Sequence, residues 1–184
     1  LDKRQLSEKT EYEQSFIQCQ NLWEDFQELR ELTFDQRIAG IAAKLLGVDR
    51  LRIWHDQALI KESGGRETDT HHDQPYWPIK ETNTITAWIP MVPISEHNGH
   101  MGFFSGSHKV KEKRFINIFN GKVGQEELEK LPQLKGLRPE YVDLKPGDVS
   151  FHHGLTFHNA KPNLSSEDRP VFTIIYFADG STRG

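Results

Sequence analysis

The stretch THHDQ at residues 70–74 places three metal-competent side chains together: His71, His72 and Asp73. In an extended chain residues i and i+2 point one way and i+1 the other. His71 and Asp73 can therefore converge on one metal, while His72 points elsewhere. A second cluster, FHHGLTFH at 151–158, offers His152, His153 and His158 as a further ligand. Two histidines and a carboxylate on one face of a metal leave three adjacent positions open, the arrangement of non-heme Fe(II) oxygenases. A bidentate co-substrate takes two of those positions and O2 the third. A dicarboxylate co-substrate also needs its far end held. Arg169, eleven residues beyond His158, carries the planar fork that matches a carboxylate. His-x-Asp alone arises often by chance. The order His-x-Asp, a strand with tryptophan, a Gly-Asp turn, His and then Arg does so far less.

Those residues need a scaffold. The 184 residues allow one domain with a sizeable core, and 35% hydrophobic content with eleven Phe and four Trp suits a folded protein. A formal charge of -4 gives no basic footprint for nucleic acid, and no apolar run reaches the length of a membrane span. The single cysteine, Cys19, excludes an internal disulfide and is read as a buried thiol, which fits a reducing, cytoplasmic setting. The first residues carry no apolar signal core, and they lack an initiator Met, as a piece of a longer protein would.

The first third, to about residue 47, reads as helical. Phe16, Cys19, Leu22, Trp23 and Phe26 have the spacing of one buried face, and a second helix with the stripe Phe34, Ile38, Ile41, Ala42, Leu45 and Leu46 is expected to start at a Thr33 cap and stop at Gly47. From Leu51 the period becomes that of strands. Leu51, Ile53, His55, Gln57, Leu59 and Lys61 are expected on one strand face, and Thr84, Thr86 and Trp88 on another. A short helix is expected at about 124–130, and the last strands at 147–178. Helices followed by short antiparallel strands predict an α+β fold, with helices packed on a β-sandwich or barrel and one domain over residues 1–184.

The segments HHDQPYWP (71–78), TAWIP (86–90), NGHMGFFSGSHK (98–109) and GDVSFHHGLTFH (147–158), with Arg169, resemble the phytanoyl-CoA dioxygenase family of Fe(II)- and 2-oxoglutarate-dependent oxygenases. The resemblance runs from about Leu51 to Ala178. It implies a double-stranded β-helix (jelly-roll) core at about 51–178, with the N-terminal helices against it. It places His71, Asp73 and His158 at the iron-ligand positions and Arg169 where the distal carboxylate of 2-oxoglutarate binds. Trp88 falls at a tryptophan of the co-substrate pocket, and Lys61 and Thr86 are expected to contact the co-substrate. Gln57, Tyr76, Trp77 and His72 are the candidates for substrate contact. Where the family often has Ser, two residues past the distal histidine, this chain has Ala160, so that hydrogen bond is expected to be either absent or supplied elsewhere, by Thr86 or Thr173. The implied reaction uses Fe(II), 2-oxoglutarate and O2 to hydroxylate an aliphatic carbon of a small molecule, releasing succinate and CO2. The presence of Asp73 argues against halogen transfer.

Two other readings compete. A cupin-type metalloenzyme without 2-oxoglutarate would draw on His152 or His153 as extra ligands, but would leave Arg169 without a task. A non-catalytic metal-binding module would leave the complete ligand set unused. The basic run KVKEKR at 109–114 reads as a solvated face. Oligomeric state and substrate identity have no signature in the sequence.

Overall fold

The computed structural model describes residues 3–111 and 125–184. Of the basic run at 109–114, residues 112–114 lie outside them. Among the described residues nine strands form two antiparallel sheets. The larger has the order β1 (Ile17–Gln20), β2 (Leu51–Lys61), β9 (Arg169–Ala178), β4 (Thr84–Pro90) and β7 (Ser150–His153). The smaller has the order β3 (Thr68–His71), β8 (His158–Ala160), β5 (Met101–Phe103) and β6 (Glu140–Val142). The helices are α1 (Leu22–Asp25), α2 (Gln27–Thr33), α3 (Gln36–Leu46) and α4 (Gln125–Glu129).

Strand alternation sorts the larger sheet into two environments. On its outer face Ile85, Ala87, Ile89, Phe172, Ile174 and Tyr176 form a core with Ile38 and Ala42 of α3. On its inner face Trp88 and Val171 meet Met101 and Ala160 of the smaller sheet. Every residue of β4 is buried, because α3 covers one side and the smaller sheet the other. Burial of one isoleucine-sized side chain contributes about 1.5–3 kcal/mol, so these shared faces fix which way each strand presents its residues.

Three expectations need correction. Residues 17–20 are not helical. They form β1, whose backbone pairs with β2 from Ile17↔Ile60 to Gln20↔Gln57. The apolar spacing there matched a helix, but an open sheet edge supplied backbone partners and won. Cys19 is accordingly only partly buried. Next, α3 is capped by Asp35, whose carboxylate accepts from the Arg37 and Ile38 amides at 2.7 and 3.3 Å. Thr33 instead ends α2, and its hydroxyl donates to Leu29 O and to Asp56 Oδ2. Gly47 does close α3, at φ 69° in the left-handed region. Only one stripe of α3 meets the sheet, so Phe34, Ile41 and Leu45 stay exposed.

The third correction concerns β2. A bulge between Ile53 and His55 shifts its register against β9. Leu51 and Ile53 therefore join the outer core, while His55, Gln57, Leu59 and Lys61 fall on the inner face. The bulge also puts Asp56 outward and fully buried, where its Oδ2 accepts from the Trp23 amide and the Thr33 hydroxyl and ties α1 and α2 to the sheet.

Candidate metal and co-substrate site

A cavity of about 550 Å³ opens between the two sheets. β3 delivers His71 to it, and β8 delivers His158, its partner across the ladder. The two rings lie 4.3 Å apart, centre to centre. Asp73 comes from just past the end of β3, where it begins the turn at Gln74–Tyr76 with helical backbone angles. The i, i+2 argument assumed a continuous strand; the turn achieves the same convergence. His71 Nε2, Asp73 Oδ1 and His158 Nε2 approach one another: the two nitrogens stand 3.4 and 3.7 Å from Oδ1. One ligand atom from each of these three residues lies within 4.8 Å of the others.

Neighbouring groups fix which atoms face inward. His71 Nδ1 donates to Asp69 O at 2.7 Å and His158 Nδ1 to Thr156 O at 3.0 Å. Each ring then keeps its proton on Nδ1 and turns an Nε2 lone pair to the centre, the tautomer a metal requires. Burial, with the nearby His71, holds His158 well below the usual histidine range, so it is neutral. Burial would raise the Asp73 carboxyl, but His158, His152 and His71 outweigh it and hold Asp73 well below the ordinary carboxylate value. Two imidazoles that turn Nε2 toward an ionised carboxylate are a donor set suited to a divalent ion.

Arg169 lines the same cavity, 3% exposed, with its Nε and Nη1 lacking any hydrogen-bond acceptor among the described residues. Burial pushes its guanidinium down to about 10, still charged at neutral pH. Its head sits 5.5 Å from the centre of the Trp88 ring, and the buried Thr173 hydroxyl, directly across the β4–β9 ladder from Trp88, likewise has no partner among the described residues. Buried donors without acceptors are costly. A carboxylate is the group that suits this fork and hydroxyl. These residues therefore fit both an iron and the far end of a 2-oxoglutarate.

The other candidates separate cleanly. Gln57, Tyr76 and Trp77 line the cavity with Trp88, Thr86 and Ala160. Thr86 directs its hydroxyl to Asp73 Oδ2 at 3.4 Å, so of the two expected hydroxyls Thr173 is the one without a partner among the described residues. Lys61 does not line the cavity. Its fully buried ammonium donates to Ser15 O, Arg66 O and Thr68 Oγ1, so it is a structural tie and not the co-substrate contact expected. His72 turns away from the cavity, its ring 4.7 Å from Phe157. His153 stacks on His108 and accepts from the Leu155 amide. Sequence reasoning left the role of His152 open and missed the N-terminal wall. His152 reaches in and donates from Nε2 to Asp73 Oδ2 at 3.2 Å. Phe16, Gln18 and Gln20 of the N-terminal segment also wall the cavity, and their i, i+2 spacing was the available signal.

The antiparallel double sheet with this donor set and a buried arginine defines the class of double-stranded β-helix proteins that work with Fe(II) and 2-oxoglutarate. Within it, the chain belongs to the phytanoyl-CoA dioxygenase (PhyH) family, whose model matches residues 4–171. The chain is 29% identical over 102 residues to a 1-deoxypentalenic acid 11-beta-hydroxylase of Streptomyces arenae, a match covering 53% of this chain and 35% of that protein. Among solved structures it resembles the non-heme alpha-ketoglutarate-dependent carbocyclase SnoK from nogalamycin biosynthesis, with 27% identity and a TM-score of 0.80 over 92% of this chain and 66% of that one. The epimerase SnoN, crystallised with Fe3+, alpha-ketoglutarate and nogalamycin RO, gives 26% identity and a TM-score of 0.79, with 92% and 66% covered. The chain thus spans about a third of the curated relative and about two thirds of these structures.

Proposed function

We propose that this chain is an Fe(II)- and 2-oxoglutarate-dependent oxygenase, one domain over residues 1–184, that hydroxylates an aliphatic carbon of a small molecule and releases succinate and CO2. The observation that carries this is the pairing of two features in one cavity: the His71–Asp73–His158 donor set and a buried arginine whose Nε and Nη1 lack an acceptor among the described residues. A cupin-type enzyme without 2-oxoglutarate accounts for the first feature only. Its extra ligand would have been His152 or His153, yet His152 Nε2 is engaged with Asp73 and His153 lies off the cavity.

When bound, iron with 2-oxoglutarate and O2 supplies the oxidising power to break an unactivated C–H bond. The chain's own residues do the rest. His71, Asp73 and His158 hold the metal from one face. Arg169 and Thr173 hold the distal carboxylate, and Trp88 forms a wall beside it. His152 and Thr86 engage Asp73 Oδ2, which leaves Oδ1 as the oxygen turned to the two imidazoles. Tyr76 and Trp77 stand at the cavity wall and exclude water from the reacting carbon. The named relatives are a hydroxylase, a carbocyclase and an epimerase, which supports a shared C–H activation step. The cytoplasm is the proposed compartment, supported by the lone cysteine; no helix among the described residues is long and apolar enough to cross a membrane.

Succinate formation from 2-oxoglutarate by the iron-loaded protein tests the reading. A substrate screen is expected to find compounds that stimulate succinate release and gain one oxygen. Stimulated O2 uptake without succinate would favour the cupin-type alternative.

A further inference from the structure

We propose that the outer half of the cavity binds an uncharged substrate of flat ring or fused-ring carbon, with hydroxyl or carbonyl groups along one edge, and that Trp54 is a specificity-determining residue for it. The proposal rests on the oxygenase reading, which assigns the inner half to metal and co-substrate.

The charge argument comes first. Among the described residues lining the cavity, only Asp73 and Arg169 carry a permanent charge. With iron and 2-oxoglutarate in place, the charges of the ion, Asp73, the dicarboxylate and Arg169 cancel. Among the described residues nothing else in the lining offers a permanent counter-charge. Burial holds His55 below the usual histidine range, and burial with Tyr76 and Asp73 pushes the Tyr12 phenol up to about 12, so both are neutral. An acid, an amine or an amino acid entering here would bury a charge without a partner.

The shape argument is independent. The outer lining divides into rings and amides. Tyr12 and Phe16 meet edge to face at 5.3 Å, and Tyr76 lies 6.5 Å from the His71 ring. Trp54 belongs to this wall because of the β2 bulge: it is the extra residue between Ile53 and His55, and it lines the cavity beside His55. Without the bulge, alternation would put Trp54 and His55 on opposite faces. Beside these rings, on the same β1–β2 pair, Gln18 donates its amide to Gln57, and Gln20 and Asn21 continue the row. Aromatic walls take flat carbon surface, and side-chain amides both donate to and accept from hydroxyl and carbonyl groups. A volume of about 550 Å³ lies within the range that holds a molecule of several rings.

Three probes with one ring system isolate the charge: 1-pyrenebutanol, 1-pyrenebutyrate and 1-pyrenebutylamine. Each is titrated anaerobically into the protein with and without Fe(II) and 2-oxoglutarate, and binding is read from pyrene fluorescence. The alcohol is expected to bind at least about tenfold more tightly than the acid or the amine in the loaded protein, and Trp54→Ala to weaken the alcohol about tenfold while iron affinity is retained. Equal or tighter binding of either charged probe would overturn the proposal, as would failure of all three to bind. The fluorescence needs neither turnover nor a metal spectrum. Absorption recorded on the same samples therefore separates the two readings: absence of the metal-to-co-substrate band faults the oxygenase reading, whereas the band without a preference for the alcohol faults this proposal alone.

Discussion

His71 and His158 are set by one device: each gives its Nδ1 proton to a backbone carbonyl two residues earlier and turns Nε2 inward. His153 shows the contrast, because its Nδ1 accepts from a backbone amide and its ring stacks outside the cavity. Replacing His158 by Ala should abolish iron binding and turnover, whereas His153→Ala should keep most of both; titration with Fe(II) measures this, and comparable losses would mean the ligand is misassigned. Arg169 invites a second substitution. Removing one partner of a buried charge pair costs about 2–5 kcal/mol, so Arg169→Ala should raise the 2-oxoglutarate requirement about a hundredfold or more with iron affinity kept. Lysine there should recover only part, since it lacks the fork. An unchanged requirement would make Arg169 structural. Much of this site was legible: the residues singled out at 71, 73, 158 and 169 line one cavity. Lys61 was not, because parity gives the face of a strand but not the three acceptors that capture an ammonium at its end.

At the scale of elements, the outer helices and the bulge decide what the inner face presents. α3 depends on its cap. The Arg37 guanidinium, helped by the Arg37 and Ile38 amides, holds the Asp35 carboxyl at about 2, below its ordinary 3.8. A depressed folded value contributes stability that is complete above the unfolded value and is lost as pH falls through the folded one. Asp35→Ala should therefore lower the melting temperature at neutral pH, and the gap from the unaltered protein should close between pH 3.8 and about 2. A gap that stays constant through that window would contradict the role of the charge. Two elements escaped the sequence for physical reasons. β1 carries an apolar spacing that suits either a helix or a strand, and only the free edge of β2 decides between them. The β2 bulge leaves no local signature, since its driving force is the demand that Ile53 and Asp56 both reach the outer side.

For the whole molecule, the change from helical to strand period near residue 50 was enough to give the α+β class, because each sheet buries one face against a neighbour. The family motifs then narrowed it to a double-stranded β-helix, which the matching structures share. The relation between the metal ligands and Arg169 was beyond any local pattern, as it joins β3 and β8 of one sheet to β9 of the other. That relation is also the central claim: one cavity holds a metal and a dicarboxylate together. The most direct measurement is an anaerobic titration of the metal-free protein with Fe(II) and 2-oxoglutarate, followed by visible absorption. A weak charge-transfer band that requires both additions is the predicted result, because the co-substrate must chelate the same ion that His71, Asp73 and His158 hold. Iron binding without that band would contradict the account and favour a cupin-type enzyme, and no iron binding at all would contradict the ligand set itself.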